Sequence, residues 1–179
     1  MLIEHNELRI RNATKEDANI LATWWNDGQV MAHAGFPNGL IITNEKIIAQ
    51  LSTDSDKTRR RLIIEINDIP VGEMSYRIND EQAEIGIKIC NVDYQNKGYG
   101  PKLLSMLINE LFLMGCSKIT LDTNINNTRA RRTYEKLGFI QTKVNIDSFK
   151  DQLGNYQSSV DYELIPTNFV NIFKKDARN

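Results

Sequence analysis

The stretch Tyr94-Gln95-Asn96-Lys97-Gly98-Tyr99-Gly100 runs straight into Pro101 and an apolar segment, KLLSMLINELFLMG. A helix N-terminus presents unpaired N–H groups and the positive end of the helix dipole. Glycines ahead of it let a phosphate approach the backbone closely, and Lys97 adds a positive charge. The pattern predicts a pyrophosphate cradle built from Gln95, Asn96, Lys97, Gly98, Tyr99 and Gly100. Pro101 has no N–H to donate and presets the first helical turn. Two familiar phosphate loops are excluded. No Gly-Lys-Ser/Thr follows a four-residue spacer, and Leu103 stands where G-x-G-x-x-G needs its third glycine. The competing reading is a strand-to-helix corner whose glycines serve only the turn.

The elements around the loop follow from periodicity. LRIRNAT alternates and predicts a first strand. Thr14, with Asp17 three residues on, predicts an N-cap for an amphipathic helix through KEDANILATWW. Adjacent residues such as Trp24 and Trp25 are not expected to face inward together on a helix. NEKIIAQLS predicts a short second helix. RLIIEI and VGEMSYRI predict strands joined at Asn67-Asp68, and AEIGIKIC a strand leading to the loop. Residues 101–114 place Leu104, Leu107, Ile108 and Leu111 on one helical face, with Gly115 as the stop. KITLDT, then a helix through NNTRARRTYEKLG ended by Gly138, then FIQTKVNI and SSVDYELI complete the chain. The order β-α-α-β-β-β-α-β-α-β-β predicts one mixed α/β layered domain over residues 1–179. His5 falls in a loose N-terminal segment and residues 170–179 form a frayed tail.

The totals narrow the function classes. The chain has 179 residues, about one domain. Twenty-two basic residues against 23 acidic leave a net charge of −1, which suggests neither a nucleic-acid nor a membrane-surface partner. No apolar stretch approaches a membrane span, and MLIEHNELRIR lacks the layout of a signal peptide. Cys90 and Cys116 form no metal or redox spacing and read as reduced thiols. A cytoplasmic protein without a metal is expected.

A second block decides between the two readings of the loop. Asn127-Thr-Arg-Ala130-Arg-Arg-Thr-Tyr134-Glu-Lys-Leu-Gly138-Phe139 resembles the Asn-x-x-Ala-x-x-x-Tyr-Glu-Lys-Leu-Gly-Phe segment of the GNAT N-acetyltransferase family. Q-x-x-G-x-G, between an isoleucine-rich strand and an amphipathic helix, resembles that family's acyl-CoA loop. IPVGEMSY resembles its preceding strand, and WWNDGQV the early helix of its ribosomal-protein-type and aminoglycoside-type branches. The resemblance spans roughly residues 7–165.

The resemblance implies a mixed, mostly antiparallel central sheet flanked by helices. A V-shaped cleft would take acetyl-CoA, its pantetheine arm bonding to strand backbone near Ile89 and Cys90 like an added strand. Asn127 either caps its helix, contacts the cofactor, or does both. TRARR reads as a solvated helix face rather than a contact to the nucleotide 3′-phosphate.

The implied reaction is direct acyl transfer to a primary amine in a ternary complex. An alkylamine with a pKa near 10.4 must lose a proton to attack, and a thiol with a pKa near 8.5 leaves better if protonated. A strand amide near Ile89 or Cys90 would bind the oxyanion. The resemblance places Tyr134 as the acid and Glu84, eleven residues before Gln95, as the base. Glu73 and Asp93 are the runners-up, and His33 reads as an exposed loop residue. The acceptor is a protein or peptide N-terminus, or a small molecule such as an amino acid, polyamine or aminoglycoside, and a homodimer is admitted. A non-catalytic CoA-binding sensor is the reading from another class.

Overall fold

The computed structural model describes residues 1–173. Eight strands form one sheet: β1 (Leu2–His5), β2 (Leu8–Asn12), β3 (Arg59–Ile66), β4 (Ile69–Asn79), β5 (Gln82–Ile89), β6 (Lys118–Asn124), β7 (Ile140–Lys150) and β8 (Tyr156–Leu164). Their spatial order is β1-β2-β3-β4-β5-β6-β8-β7. Every pair is antiparallel except β5–β6. The helices are α1 (Ala18–Asn26), α2 (Gly28–Met31), α3 (Asn44–Leu51), α4 (Tyr99–Leu113) and α5 (Thr128–Lys136).

Local chemistry accounts for the joints. Asn67 and Asp68 both take positive φ, +51° and +61°, between the paired residues Ile66 and Ile69. That is the two-residue turn whose twist matches an antiparallel ribbon. The Asp17 carboxylate accepts from the Thr14 N–H at 2.8 Å, closing the turn that leads into α1. Asn127 opens α5 by accepting from the Ala130 N–H at 3.3 Å.

The sheet is covered on both faces. Helices α4 and α5 pack on one face through Leu104, Leu107, Leu111 and Tyr134, against Ile64, Met74, Ile85 and Leu121. Helices α1 and α3 cover the other face, where Trp24 and Trp25 share a cluster with Ile47, Ile63 and Cys90. Both tryptophans are buried, contrary to expectation. α1 packs against both the sheet and α3, so it buries two faces rather than one stripe.

Two further expectations are corrected. The N-terminal segment is strand β1, running antiparallel along β2 as a register of four pairs. The start of the tail is docked: Val170 N–H donates to Leu137 O at 3.0 Å, and Ile172 N–H to the buried Ser105 hydroxyl at 3.3 Å. The Phe173 ring lies 4.3 Å from that of His5. The remainder of the expected frayed tail, residues 174–179, lies outside the described residues.

Candidate active site

The sheet is split at its only parallel pair. β5 and β6 are in register only over Gln82–Glu84 with Lys118–Thr120. β5 then runs on to Ile89 and β6 to Asn124 without pairing to each other, which opens a V. The cleft that fills it measures about 900 Å³ and runs from β4 and β5 to the glycine loop before α4 and to α5.

Strand alternation determines which backbone groups face this space. Cys90 N–H donates to Val71 O at 2.9 Å. In an antiparallel ladder, alternate residues turn their N–H and C=O toward the same neighbour. Gly86, Lys88 and Cys90 therefore face β4, while Ile87 and Ile89 face the open V. The Ile89 carbonyl accepts from Gln95 Nε2 at 2.8 Å. The expectation that Cys90 offers its backbone to the cleft is corrected: its amide is used within the sheet and its side chain is buried.

The loop turns sharply into α4 beside open space. Asn96 and Gly98 take left-handed φ values of +59° and +79°, turning the chain into α4. A Cβ built at Gly98 or Gly100 would meet no atom within 4 Å, so the space beside both is open. Gln95, Asn96, Gly98, Tyr99 and Gly100 line the cleft, and so does Asn127 while it caps α5. Lys97 is exposed outside the cleft wall, its Nζ 5.9 Å from the centre of the Tyr94 ring. Arg129, assigned to a solvated face from sequence, also lines the cleft, and its Nη1 donates to Asn96 Oδ1 at 2.6 Å.

Tyr134 reaches the cleft from α5. Its ring stacks edge-on against Tyr162 at 5.8 Å and packs on Phe139 at 5.9 Å, leaving 7% of the residue exposed. Burial, with the Asp122 charge nearby, pushes its hydroxyl up to about 12. The hydroxyl is thus protonated at neutral pH.

The carboxylates sort themselves by surroundings. Glu73 lines the cleft but is buried and fully engaged, accepting from Trp25 Nε1 at 2.8 Å, Arg61 Nη1 at 2.8 Å and Lys88 Nζ at 3.3 Å. Asp93 is exposed beside the loop and off the cleft wall. Glu84 stands where β5 still pairs with β6, opposite Arg77 on β4 and Thr120 on β6. It lines a smaller hollow that adjoins the cleft.

Asp122, not singled out in the sequence, lines both spaces. Its side chain is exposed to the hollow, where partial desolvation first, then the charges of Asp161 and Glu84, push its carboxyl up from the ordinary value. The available signal was the alternation of KITLDT: once β6 lies beside β5, Asp122 shares a sheet face with Glu84. His33 lines the cleft mouth. Beside it, Gln152 N–H donates to Gly35 O at 2.8 Å, joining the β7–β8 turn to the loop after α2.

Among the described residues, no group of three or more His, Cys, Asp or Glu gathers to hold a metal, and no helix is long and apolar enough to cross a membrane.

Comparison with known proteins agrees with this geometry. The acetyltransferase (GNAT) domain model matches residues 7–140. The alanine N-acetyltransferase of ribosomal protein bS18 from Haemophilus ducreyi is 33% identical over 67 residues, covering 37% of this chain. The aligned part spans 46% of that relative, about half its length. The spermidine N-acetyltransferase of Vibrio cholerae, solved with CoA and spermine, superposes with a TM-score of 0.79 at 20% identity, over 92% of this chain and 98% of its own. A ribosomal-protein α-N-acetyltransferase (RimL) in complex with coenzyme A gives a TM-score of 0.82 at 15% identity, over 92% and 98%. At these identities the two structures speak for the fold.

Proposed function

The chain belongs to the GNAT acetyltransferase family, and from that premise we propose that it moves the acetyl group of acetyl-CoA to a primary amine, on a small molecule or a peptide N-terminus, in one ternary complex. The observation that carries this reading is the V between β5 and β6, with the left-handed loop and the start of α4 at its open end. Strand-like backbone at Ile87 and Ile89 suits the amides of pantetheine. The loop amides from Asn96 to Gly100 suit the pyrophosphate.

The amine nitrogen attacks the thioester carbonyl, the C–S bond breaks, and the thiolate takes a proton. Tyr134 supplies that proton. A cleft-facing amide of β5, at Ile87 or Ile89, steadies the oxyanion. The proton shed by the amine passes to the Glu84–Asp122 pair, directly or through water. A carboxyl whose pKa is raised toward the working pH is the better base, which favours Asp122 as the group nearer the cleft. Cys90 is a poor acetyl carrier, because burial first and then the Glu73 charge push its thiol up to about 12. That supports direct transfer over an acetyl-enzyme. The two unpaired thiols support a reducing, cytoplasmic setting.

The test is thiol release from acetyl-CoA with a panel of primary amines. Release that rises with amine concentration supports the reading. Tight CoA binding with no amine-dependent release would make the protein a CoA sensor instead.

A further inference from the structure

Beside the acyl cleft, on the α1/α3 face of the sheet, lies a hollow of about 310 Å³ that shares Arg61, Ser75, Ile85, Gly86 and Asp122 with it. Arg59, Arg60 and Arg61 on β3 and Arg77 on β4 line it together with Asp54, and Glu84 on β5 and Asp122 on β6 close the other edge. Between them the floor is small: Ser75 pairs with Gly86, where an added Cβ would meet only the Ser75 hydroxyl, at 3.2 Å.

Internal pairs occupy part of this charge. Arg61 is held by Glu73 at 2.8 Å and lies over Trp25, and Arg59 reaches Asp54 at 3.4 Å. Arg77, Glu84 and Asp122 make no salt bridge among the described residues. Arg77 stands directly opposite Glu84, one strand spacing of about 4.8 Å away, and Asp122 lies on β6, one strand further across. A ligand whose cation and anion are separated by only a few bonds suits that spacing.

Resting on the transferase reading above, we propose that the acceptor carries a carboxylate close to its amine. The amine sits against Glu84 and Asp122, beside the acyl cleft, while the carboxylate is held by Arg77 with Arg59 behind it. The planar guanidinium suits a carboxylate. A polyamine laid the same way would bring its second ammonium against Arg77, which is unfavourable. The carboxylate has two sources: the α-carboxylate of a free amino acid, or the side chain of an acidic first residue in a peptide.

Paired acceptors separate these sources in the wild-type enzyme. Glycine against glycinamide reports the α-carboxylate. An Asp-initiated peptide against its Asn-initiated counterpart reports the side chain, and spermidine serves as the polyamine. In at least one pair the acid should have a KM roughly tenfold or more below its amide, about 1.4 kcal/mol. Arg77→Gln should abolish that difference while the KM for acetyl-CoA stays unchanged. Arg77 is exposed, so this variant keeps its fold, which a melting curve checks. Equal use of acid and amide in both pairs, or spermidine as the best acceptor, overturns the proposal and leaves the transferase reading standing. Absence of transfer to any amine overturns both.

Discussion

Arg129 Nη1 donates to Asn96 Oδ1 at 2.6 Å, tying the first turn of α5 to the glycine loop across the mouth of the cleft. Asn96 is held there at a φ of +59°, a conformation a free asparagine loop visits only part of the time. Arg129→Ala should release the loop and raise the Kd for CoA about fivefold, the size of an exposed polar contact of about 1 kcal/mol. The melting temperature should hardly move. Calorimetry giving an unchanged Kd would reduce the pair to a surface contact.

Gly98 tests the cradle itself. Its φ of +79° strains any residue with a Cβ, and the space beside it is open toward the cleft. Gly98→Val should weaken CoA binding strongly and cost roughly 1–3 kcal/mol of stability. Binding of pantetheine, which carries no phosphate, should be spared in the folded variant. Equal losses for CoA and pantetheine would show a general distortion rather than a lost phosphate site.

For Tyr134, the hydroxyl can be removed while the ring stacks on Tyr162 and Phe139 remain. Tyr134→Phe should lower kcat by roughly 10²-fold or more, with the melting temperature nearly constant. A thioester with a more acidic leaving thiol should recover part of the loss, because it needs no proton. Unchanged kcat in the Phe variant would leave Tyr134 as a packing residue.

The pH profile separates Glu84 from Asp122. A base acts once ionised, so the rate should rise with pH through a carboxyl pKa above the usual range. Glu84 is one of the charges that raise the Asp122 pKa. If Asp122 is the base, Glu84→Gln moves the rising limb to lower pH and Asp122→Asn abolishes it. If Glu84 is the base, Glu84→Gln lowers the rate most at low pH, where little of the amine is already neutral, and Asp122→Asn leaves the rate largely intact.

Stability carries its own sign. A folded pKa above the unfolded value favours the protonated form, so that stabilisation is present at low pH and lost as pH rises through the folded pKa. Asp122 is exposed, so solvent screens the effect: Asp122→Asn should melt at, or only slightly above, wild type at neutral pH, and any advantage should vanish in acid.

What the sequence disclosed was mostly local. Asn67-Asp68 announced its turn because two consecutive positive φ angles need such residues. The glycine loop and the Asn127 cap were legible because the groups that define them lie within a few residues of one another. The burial of both Trp24 and Trp25 was not, because it depends on α3 covering the side of α1 that the sheet does not. β1 was hidden because a four-residue, half-polar strand becomes one only beside β2. Cys90 was assigned to the cleft because which way its amide points depends on the β4 register, a long-range fact. Asp122 went unnoticed for the same reason: its surroundings are set by β5 and β8, remote in the chain.

The most direct measurement of the central claim is intact-mass spectrometry of both partners after incubation with acetyl-CoA. With an amine acceptor present, one acetyl group should appear on the amine and none on the protein. With acetyl-CoA alone, the protein mass should stay unchanged, because direct transfer forms no acetyl-enzyme. An acetylated protein that passes its acetyl group to a later-added amine would contradict the ternary mechanism, and an amine left unmodified throughout would contradict the transferase itself.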